Sequence, residues 1–188
     1  MEFLGLDVHH KTLGICGLGR IGQRVAKRAK GFEMRILYTD IRRASSDLEE
    51  QLGAHFVEKR ELLQESDFIT LHLPLSSQTV HYISVEELGL MKRTAILINA
   101  SRGPIVDEKA LVWALKEGKI AGAGLDVYER EPEVESELLE MENVVLAPHI
   151  ASASRETRFK MAMMAAENLV AGLTGKRPPN LVNEEVFK

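Results

Sequence analysis

The chain has 188 residues, of which 45% are apolar and 28% are charged, a composition typical of a soluble globular domain. Acidic and basic residues are interspersed and give a net charge of −4, so no basic patch is available to hold a nucleic-acid backbone. No apolar run approaches the roughly 20 residues of a membrane-spanning helix. These properties exclude disordered and fibrous proteins, and they favour a small-molecule partner over nucleic acid or a membrane.

The single cysteine, Cys16, lies in the apolar run "TLGICG" and cannot form an internal disulfide. We expect it to be buried as a small hydrophobic residue rather than to be reactive. The first ten residues, "MEFLGLDVHH", lack the basic start and the apolar stretch of a signal peptide. Together these features favour a reducing, cytoplasmic location.

Taken in chain order, short β-branched runs alternate with helical patterns, which is typical of βαβ units. Several of the runs are apolar on both faces, as parallel strands buried beneath helices are. The predicted strands cover residues 12–16, 35–39, 54–57, 68–73, 95–100, 122–127 and 144–147.

Helices are predicted between these strands. The segment "IGQRVAKRAK" is amphipathic, "SVEELGLMK" opens with a capping box from Ser84 to Glu87, and "DEKALVWALKEG" runs from an Asp107 N-cap to a stop at Gly118. Apolar residues at helical spacing predict a long final helix at about 155–174. The whole pattern predicts an α/β fold, a doubly wound and mostly parallel sheet of about seven strands with helices on both faces.

The segment at residues 17–22 reads "GLGRIG", a G-x-G-x-x-G pattern that follows a predicted strand and opens a predicted helix. Asp40 ends the next strand about 20 residues further on, which is the context of a Rossmann dinucleotide fingerprint. The first glycine permits the tight turn, the second admits the pyrophosphate close to the backbone, and the third lets helix and strand pack closely. The loop amides and the helix dipole would face the phosphates. The predicted cofactor contacts here are Gly17, Gly19, Arg20, Ile21, Gly22 and Asp40.

Asp40 also bears on the choice of cofactor. A carboxylate at this position hydrogen-bonds to the adenosine ribose hydroxyls and repels a 2′-phosphate, so NAD(H) is preferred. Arg42 and Arg43 follow directly and could partly accommodate that phosphate, although two consecutive exposed arginines are more often a solvated turn. NADP(H) therefore stays an alternative.

The last three predicted strands are each followed by an ionisable group, which is Arg102, Glu131 and His149 in turn. Taken singly, each is more often structural than functional. The carboxyl ends of parallel strands meet at one edge of a sheet, however, and the ligand of a doubly wound fold lies across that edge. Three such groups converging there, facing a cofactor, indicate a catalytic site.

These three groups have complementary chemistry for hydride transfer to a 2-oxo acid. Arg102 would bind the carboxylate and the carbonyl oxygen with its planar guanidinium. His149 would donate and accept the proton, because an imidazole titrates near neutral pH, and Glu131 would pair with it and fix its tautomer. Asp126, also at a strand end, would accept a hydrogen bond from the nicotinamide carboxamide. No metal site is predicted.

At these residues the chain resembles the D-isomer-specific 2-hydroxyacid dehydrogenase family, over residues 4–183. The matching segments are "HKTLGICGLGRIG", "LHLPLSSQT", "INASRGPIVDEKALVWALKEGKIAGAGLDVYEREP" and "NVVLAPHIASAS". The resemblance implies NAD(H) as cofactor and a catalytic trio of Arg102, Glu131 and His149. It also implies contacts to the nicotinamide half of the cofactor from Pro74, Ala100 and Asp126.

Two further comparisons narrow the expected branch of the family. The formate dehydrogenase branch has Gln where this chain has Glu131. The segment "PHIASAS" is most similar to the glyoxylate and hydroxypyruvate reductase branch, which usually has Gly where this chain has Ala151. The expected reaction is therefore hydride transfer between NAD(H) and a small D-2-hydroxy acid and 2-oxo acid pair, with glyoxylate or hydroxypyruvate as the oxo acid.

Family members carry a separate substrate domain, built mainly from about a hundred residues ahead of the first strand, whereas this chain starts almost at that strand. We therefore expect residues 1–188 to form the dinucleotide-binding domain, with the substrate domain largely absent from the chain. The helix at 155–174, which returns toward the substrate domain in relatives, would then repack, dimerise or stay exposed. Because the family dimerises chiefly through this domain, the resemblance also implies a homodimer.

Two other functions stay open from the sequence. One is an NAD(H)-responsive binding protein of the co-repressor type, which shares the fold and the trio. The other is an isolated dinucleotide-binding module without turnover. The co-repressors bind peptides in a cleft of the other domain, and the segment "PHIASAS" favours the enzyme.

Overall fold

The computed structural model describes residues 5–186, so the predictions that touch residues 1–4 and 187–188 lie outside the described range. The chain divides into two compact units, the first ending at His149 and the second beginning at Ile150. Within the described range, no helix has the length and the apolar character needed to cross a bilayer.

The first unit is built on a single sheet whose strands follow the apolar runs of the sequence. The strands are β1 (Thr12–Cys16), β2 (Arg35–Thr39), β3 (Ala54–Phe56), β4 (Phe68–Leu71), β5 (Ile96–Asn99), β6 (Gly122–Leu125) and β7 (Val144–Leu146). The helices of this unit are α1 (Arg20–Ala29), α2 (Ser46–Leu52), α3 (Lys59–Glu65), α4 (Val85–Leu90), α5 (Glu108–Lys116) and α6 (Ser136–Leu139). The second unit contains α7 (Arg155–Leu173).

The strand order is β3-β2-β1-β4-β5-β6-β7, and every neighbouring pair is parallel. The prediction of a doubly wound α/β sheet of seven strands is therefore confirmed, and the sheet is parallel throughout. The strand order reverses between β1 and β4. In doubly wound sheets the crevice at such a switch point, beyond the carboxyl ends of the strands, is where ligands bind.

Strand β1 shows why helices cover both faces of the sheet. Leu13 and Ile15 pack into one buried cluster together with residues of α1 and β2. Cys16 packs into the other cluster, which contains Leu62 and Leu63 of α3. Successive strand residues point to opposite faces, so a run that is apolar at every position requires a helical layer on each side.

Cys16 is fully buried, as predicted. Burial raises the pKa of its thiol to about 12, because the thiolate would have to exist without solvent around it. The thiol is therefore a packing group in the centre of the sheet.

Helix starts follow the predicted caps. The Oδ1 atom of Asp107 accepts a hydrogen bond from the backbone N of Ala110 at 3.0 Å, and the backbone N of Ser84 donates to Oε2 of Glu87 at 3.0 Å. In the second unit, Ser154 caps α7, and the helix contains no buried residue. The predicted final helix is present with bounds one residue shorter than expected.

Candidate functional site

The glycine loop lies between β1 and α1 at the switch point of the sheet. Gly17 has a φ of 95°, and a Cβ atom there would lie 2.8 Å from the carbonyl oxygen of His72. A Cβ atom on Gly22 would lie 2.1 Å from the carbonyl oxygen of Gly17. Both positions therefore require glycine, the first for its backbone conformation and the second for the close approach of α1 to the loop.

Gly19 differs from Gly17 and Gly22, because a Cβ atom there would meet nothing within 4 Å. Packing within the protein therefore does not require glycine at this position. Gly19 lines an open pocket of about 570 Å³, within the usual size range of ligand sites. The remaining lining residues are Arg20, Ile21, His72, Leu73, Pro74, Leu75, Ala100, Ser101 and Arg102. Since packing does not demand a glycine at position 19, the space that a methyl group would fill fits a phosphate approaching the loop amides.

Asp40 follows β2 and is held against the glycine loop. Its Oδ2 atom accepts a hydrogen bond of 2.7 Å from the backbone N of Leu18, and its Oδ1 atom accepts one of 3.5 Å from the backbone N of Arg42. The carboxylate is thereby fixed beside the loop that follows β1. This is where the fingerprint requires the group that hydrogen-bonds to the ribose.

His72, in the loop after β4, forms part of the pocket wall and was not among the predicted site residues. Its Nε2 atom lies 3.0 Å from the hydroxyl of Thr70. Burial lowers the pKa of His72, so its ring is neutral at neutral pH. The sequence predicts His72 to lie inside a strand at 68–73, whereas β4 ends at Leu71 and His72 follows it in the loop.

Arg102 stands in a turn that is organised by Asn99, the buried last residue of β5. The Oδ1 atom of Asn99 accepts a hydrogen bond from the backbone N of Ser101, and its Nδ2 atom donates to the carbonyl of Arg102 at 3.0 Å. The guanidinium of Arg102 is exposed and donates from Nη1 to the carbonyl of Ser101. Asn99 therefore sets the backbone from which Arg102 reaches the pocket, a role that sequence reasoning missed.

Glu131 and His149 lie together, although 18 residues separate them in the chain. The Nδ1 atom of His149 is 2.9 Å from Oε2 of Glu131, and the backbone N of Tyr128 donates to Oε1 at 3.1 Å. The contact with His149, followed in importance by that from Tyr128, holds the pKa of Glu131 below its ordinary value. The carboxylate is thus ionised and has one oxygen directed to the ring.

The pair lines a pocket of about 340 Å³, while Arg102 lines the pocket of the glycine loop. The two loops meet at Gly103, where a Cβ atom would lie only 1.8 Å from the carbonyl oxygen of Tyr128. This close backbone approach fixes the loop that carries Arg102 against the loop that leads to Glu131.

Asp126 directly follows β6 and is nearly buried, at 9% exposure. Its backbone N donates to the carbonyl of Asn99 at 2.9 Å, which places it beside the turn that leads to Arg102. The position is at the carboxyl edge of the sheet, and the role of Asp126 toward the nicotinamide stays a prediction. The same holds for the roles of Pro74 and Ala100, which both line the larger pocket.

A separate ionisable cluster joins His81, Asp107 and Glu129, with one potential ligand atom from each lying within 4.8 Å of the others. The Nε2 atom of His81 is 2.8 Å from Oε1 of Glu129. Both oxygens of Asp107 already accept hydrogen bonds, from the backbone N of Ala110 and from the hydroxyl of Ser84. The cluster therefore connects the segment before α4 to the start of α5 and to the loop after β6.

A glycine loop that opens onto the switch point of an all-parallel sheet defines a dinucleotide-binding α/β domain. Residues 1–151 match the family model of the "D-isomer specific 2-hydroxyacid dehydrogenase, NAD binding domain". The chain belongs to the D-isomer specific 2-hydroxyacid dehydrogenase family, which confirms the resemblance seen in its motifs.

Known proteins of this kind match over nearly the whole chain. The glyoxylate reductase of Korarchaeum cryptofilum is 62% identical over 190 residues, which cover 100% of this chain and 57% of that protein. A glyoxylate reductase crystal structure from Paecilomyes thermophila has a TM-score of 0.88 at 42% identity, covering 97% of this chain and 55% of that one. The crystal structure of D-lactate dehydrogenase with NAD+ from Lactobacillus jensenii has a TM-score of 0.85 at 30% identity, covering 96% of this chain and 58% of that one. The chain thus spans little more than half the length of these relatives.

Proposed function

We propose that this chain is the cofactor-binding domain of an enzyme that transfers a hydride between NAD(H) and a small D-2-hydroxy acid and 2-oxo acid pair. The observation that carries the proposal is the contact of 2.9 Å between Nδ1 of His149 and Oε2 of Glu131. The pair follows β6 and β7 at the sheet edge where the glycine loop and Arg102 form the larger pocket. A proton donor, a carboxylate that orients it and a cation at a dinucleotide site are what reduction of a 2-oxo acid requires.

In the proposed reaction, the glycine loop and Asp40 would hold NADH, which would supply the hydride for the carbonyl carbon of the oxo acid. Arg102 binds the substrate carboxylate, because its planar guanidinium offers two parallel donors to two oxygens. Protonated His149 donates its proton to the developing alkoxide and so completes the hydroxyl group. In the reverse direction, His149 accepts the hydroxyl proton.

Glu131 determines which ring nitrogen of His149 faces the substrate. Since Oε2 of Glu131 lies against Nδ1, the atom left for proton transfer is Nε2. The depressed pKa of Glu131 keeps the carboxylate ionised, and its charge stabilises the imidazolium that is present before donation. Glu131 therefore acts as a positioning residue.

Glyoxylate is the proposed oxo acid, with hydroxypyruvate as the second choice. The support is the 62% identity to a protein named glyoxylate reductase and the similarity of "PHIASAS" to that branch of the family.

NAD(H) is the proposed cofactor in preference to NADP(H). The support is Asp40, whose carboxylate is fixed beside the glycine loop by the backbone N of Leu18. A fixed negative charge at the ribose favours two hydroxyls and opposes a 2′-phosphate.

We further propose a homodimer located in the cytoplasm. The exposed apolar side chains of α7, among them Phe159 at 69% and Leu173 at 79%, support pairing, because exposed apolar surface favours association. The buried thiol of Cys16 suits a reducing compartment. Light scattering on a size-exclusion column would give twice the chain mass of 21.0 kDa, and the mass of one chain would contradict the dimer.

Calorimetric titration with NADH tests the cofactor site on a polypeptide of these 188 residues. Gly19→Ala should weaken NADH binding at least tenfold without unfolding the protein, because the new methyl group meets no protein atom within 4 Å and projects where the phosphate would lie. Gly31→Ala is the matched control, since its methyl group is equally free of contacts. Equal NADH affinity in both variants and the unsubstituted chain would contradict the proposed site.

A further inference from the structure

The turn after Asp40 contains Arg42 and Arg43, and in the described part of the chain only the side chain of Arg43 is held by an ion pair. The Nε and Nη2 atoms of Arg43 donate to the two carboxylate oxygens of Glu49 on α2, each at 2.9 Å. This bidentate geometry uses one full edge of the guanidinium. Within residues 5–186, no hydrogen bond or ion pair engages the side chain of Arg42.

Glu49 is itself held in place from the sheet. The hydroxyl of Tyr38, a buried residue of β2, donates to Oε1 of Glu49 at 2.6 Å. The same hydroxyl accepts a hydrogen bond from the backbone N of Ala44 at 2.9 Å. The carboxylate thus has a fixed position relative to β2 and to the turn that contains Arg43.

Two further interactions fix the position of the Arg43 guanidinium. The guanidinium carbon of Arg43 lies 5.8 Å from the ring centroid of Phe56 in β3, so the group rests over an aromatic face. The hydrogen bonds from Arg43 and Tyr38 lower the pKa of Glu49 to about 2, so its full charge acts on Arg43 at neutral pH. The side chain of Glu49 is only 14% exposed, whereas that of Arg43 is 66% exposed.

We propose that Glu49 is a positioning residue that disfavours NADP(H) by binding Arg43 and withholding it from a 2′-phosphate. The inference rests on the proposed function of the glycine loop and Asp40 as the dinucleotide site. Asp40 repels the phosphate, and Glu49 holds one of the two arginines that follow Asp40, so that Arg43 no longer compensates for that repulsion. Preference for NAD(H) then depends on two carboxylates, one of which acts through Arg43.

The test is a double-mutant cycle in the 188-residue polypeptide, with NADH and NADPH affinities measured by calorimetric titration. Glu49→Gln keeps an oxygen that can accept from Tyr38 but loses the charge that holds Arg43. We expect NADPH affinity to rise about fivefold, the size of one exposed ion pair, with NADH affinity changed less than twofold. Arg43→Ala alone should leave the NADH and NADPH affinities unchanged. The double variant, with Glu49→Gln and Arg43→Ala together, should not show the rise in NADPH affinity.

Glu65→Gln is the matched control, because Glu65 pairs with Arg35 on the surface at 2.6 Å near the opposite, amino end of β2. It changes the net charge by the same amount and should leave the NADPH to NADH ratio unchanged. The inference is overturned if Glu49→Gln leaves the ratio unchanged, if the gain persists without Arg43, or if Glu65→Gln gives an equal gain. If the unsubstituted chain does not bind NADH, the proposed function and this inference are both wrong.

Discussion

The Nδ1 atom of His149 lies 2.9 Å from Oε2 of Glu131, while Oε1 of the same carboxylate accepts from the backbone N of Tyr128 at 3.1 Å. The two oxygens therefore have separate partners, one on the imidazole and one on the backbone of its own loop. The orientation of the ring is thus set by a group whose own position is fixed by the chain, as a positioned acid requires.

Glu131→Gln should move the acidic limb of the pH profile for 2-hydroxy acid oxidation to lower pH. The amide can still accept a hydrogen bond from the ring of His149, but it no longer carries the charge that the carboxylate, whose pKa is lowered by this contact, has at neutral pH. The measurement is kcat/KM against pH in an active enzyme that contains this chain. An unmoved acidic limb would mean that Glu131 is only structural.

His149→Ala should reduce turnover far more than cofactor binding. The measurement needs an active enzyme, for which this chain can replace the matching 190 residues of the Korarchaeum cryptofilum relative, to which it is 62% identical. We expect kcat for glyoxylate to fall roughly 10²- to 10⁴-fold, the usual contribution of a positioned acid, with NADH affinity nearly intact. His55→Ala in the same chimaera is the control. Unchanged kcat would exclude His149 as the proton donor.

Substitution of Asp40 should reduce the preference for NADH over NADPH. Asp40→Asn removes the charge while keeping an oxygen that can accept from the backbone N of Leu18, and Asp40→Ser shortens the group as well. Both should narrow the affinity ratio roughly fivefold, since a repulsion of about 1 kcal/mol for one charge pair at contact is removed. Tighter binding of NADPH than NADH by the unsubstituted chain would contradict the assignment.

The close approach at Gly103 predicts a loss of stability. A methyl group there would overlap the Tyr128 carbonyl, so Gly103→Ala should displace the backbone and cost about 1–3 kcal/mol of unfolding free energy. Gly89→Ala in α4 is the matched control, because its methyl group meets nothing within 4 Å and alanine favours the helix by about 0.5–1 kcal/mol. Urea unfolding measures both variants. Equal midpoints would show that the two loops are not in contact.

Much of the fold follows from local patterns, and the exceptions have physical reasons. Strands β1 and β2 have the predicted bounds because their apolar runs end at Gly17 and Asp40. Helices α2, α3 and α6 are not predicted from the sequence, since helices of seven or four residues have too few turns for a periodic signal. The strand predicted at 68–73 ends at Leu71, because the residues from His72 onward line the pocket instead.

The site also contains some contacts that the sequence predicts and others that it does not. Convergence of Glu131 and His149 followed from strand order, because parallel strands deliver their following residues to one edge. The roles of Asn99 and Gly103 could not be predicted, since both depend on contacts with backbone atoms of other turns. The ion pair between Arg43 and Glu49 could not be predicted either, because the sequence of α2 has no periodic pattern that predicts the helix.

A polypeptide of these 188 residues should bind NADH and yet reduce glyoxylate very slowly. The glycine loop and Asp40 are complete, so the pyrophosphate and ribose contacts are available. Arg102, in contrast, is exposed and its Nη1 atom donates to the carbonyl of Ser101, and a single charge pair in open solvent is worth only about 1 kcal/mol. Substrate would seldom be held in a reactive geometry, and the advantage of positioning would be lost.

Loss of NADH absorbance with glyoxylate measures this directly, beside calorimetric titration of the same sample and the chimaera as the active reference. The chimaera should regain turnover because residues contributed by the relative complete the walls of the cleft and exclude water. Turnover of roughly 1 to 10³ per second by the 188-residue polypeptide, as in ordinary enzymes, would show that Arg102, Glu131 and His149 suffice by themselves. NADH binding without turnover in both proteins would instead favour a dinucleotide-binding module, and absence of NADH binding would refute the cofactor site.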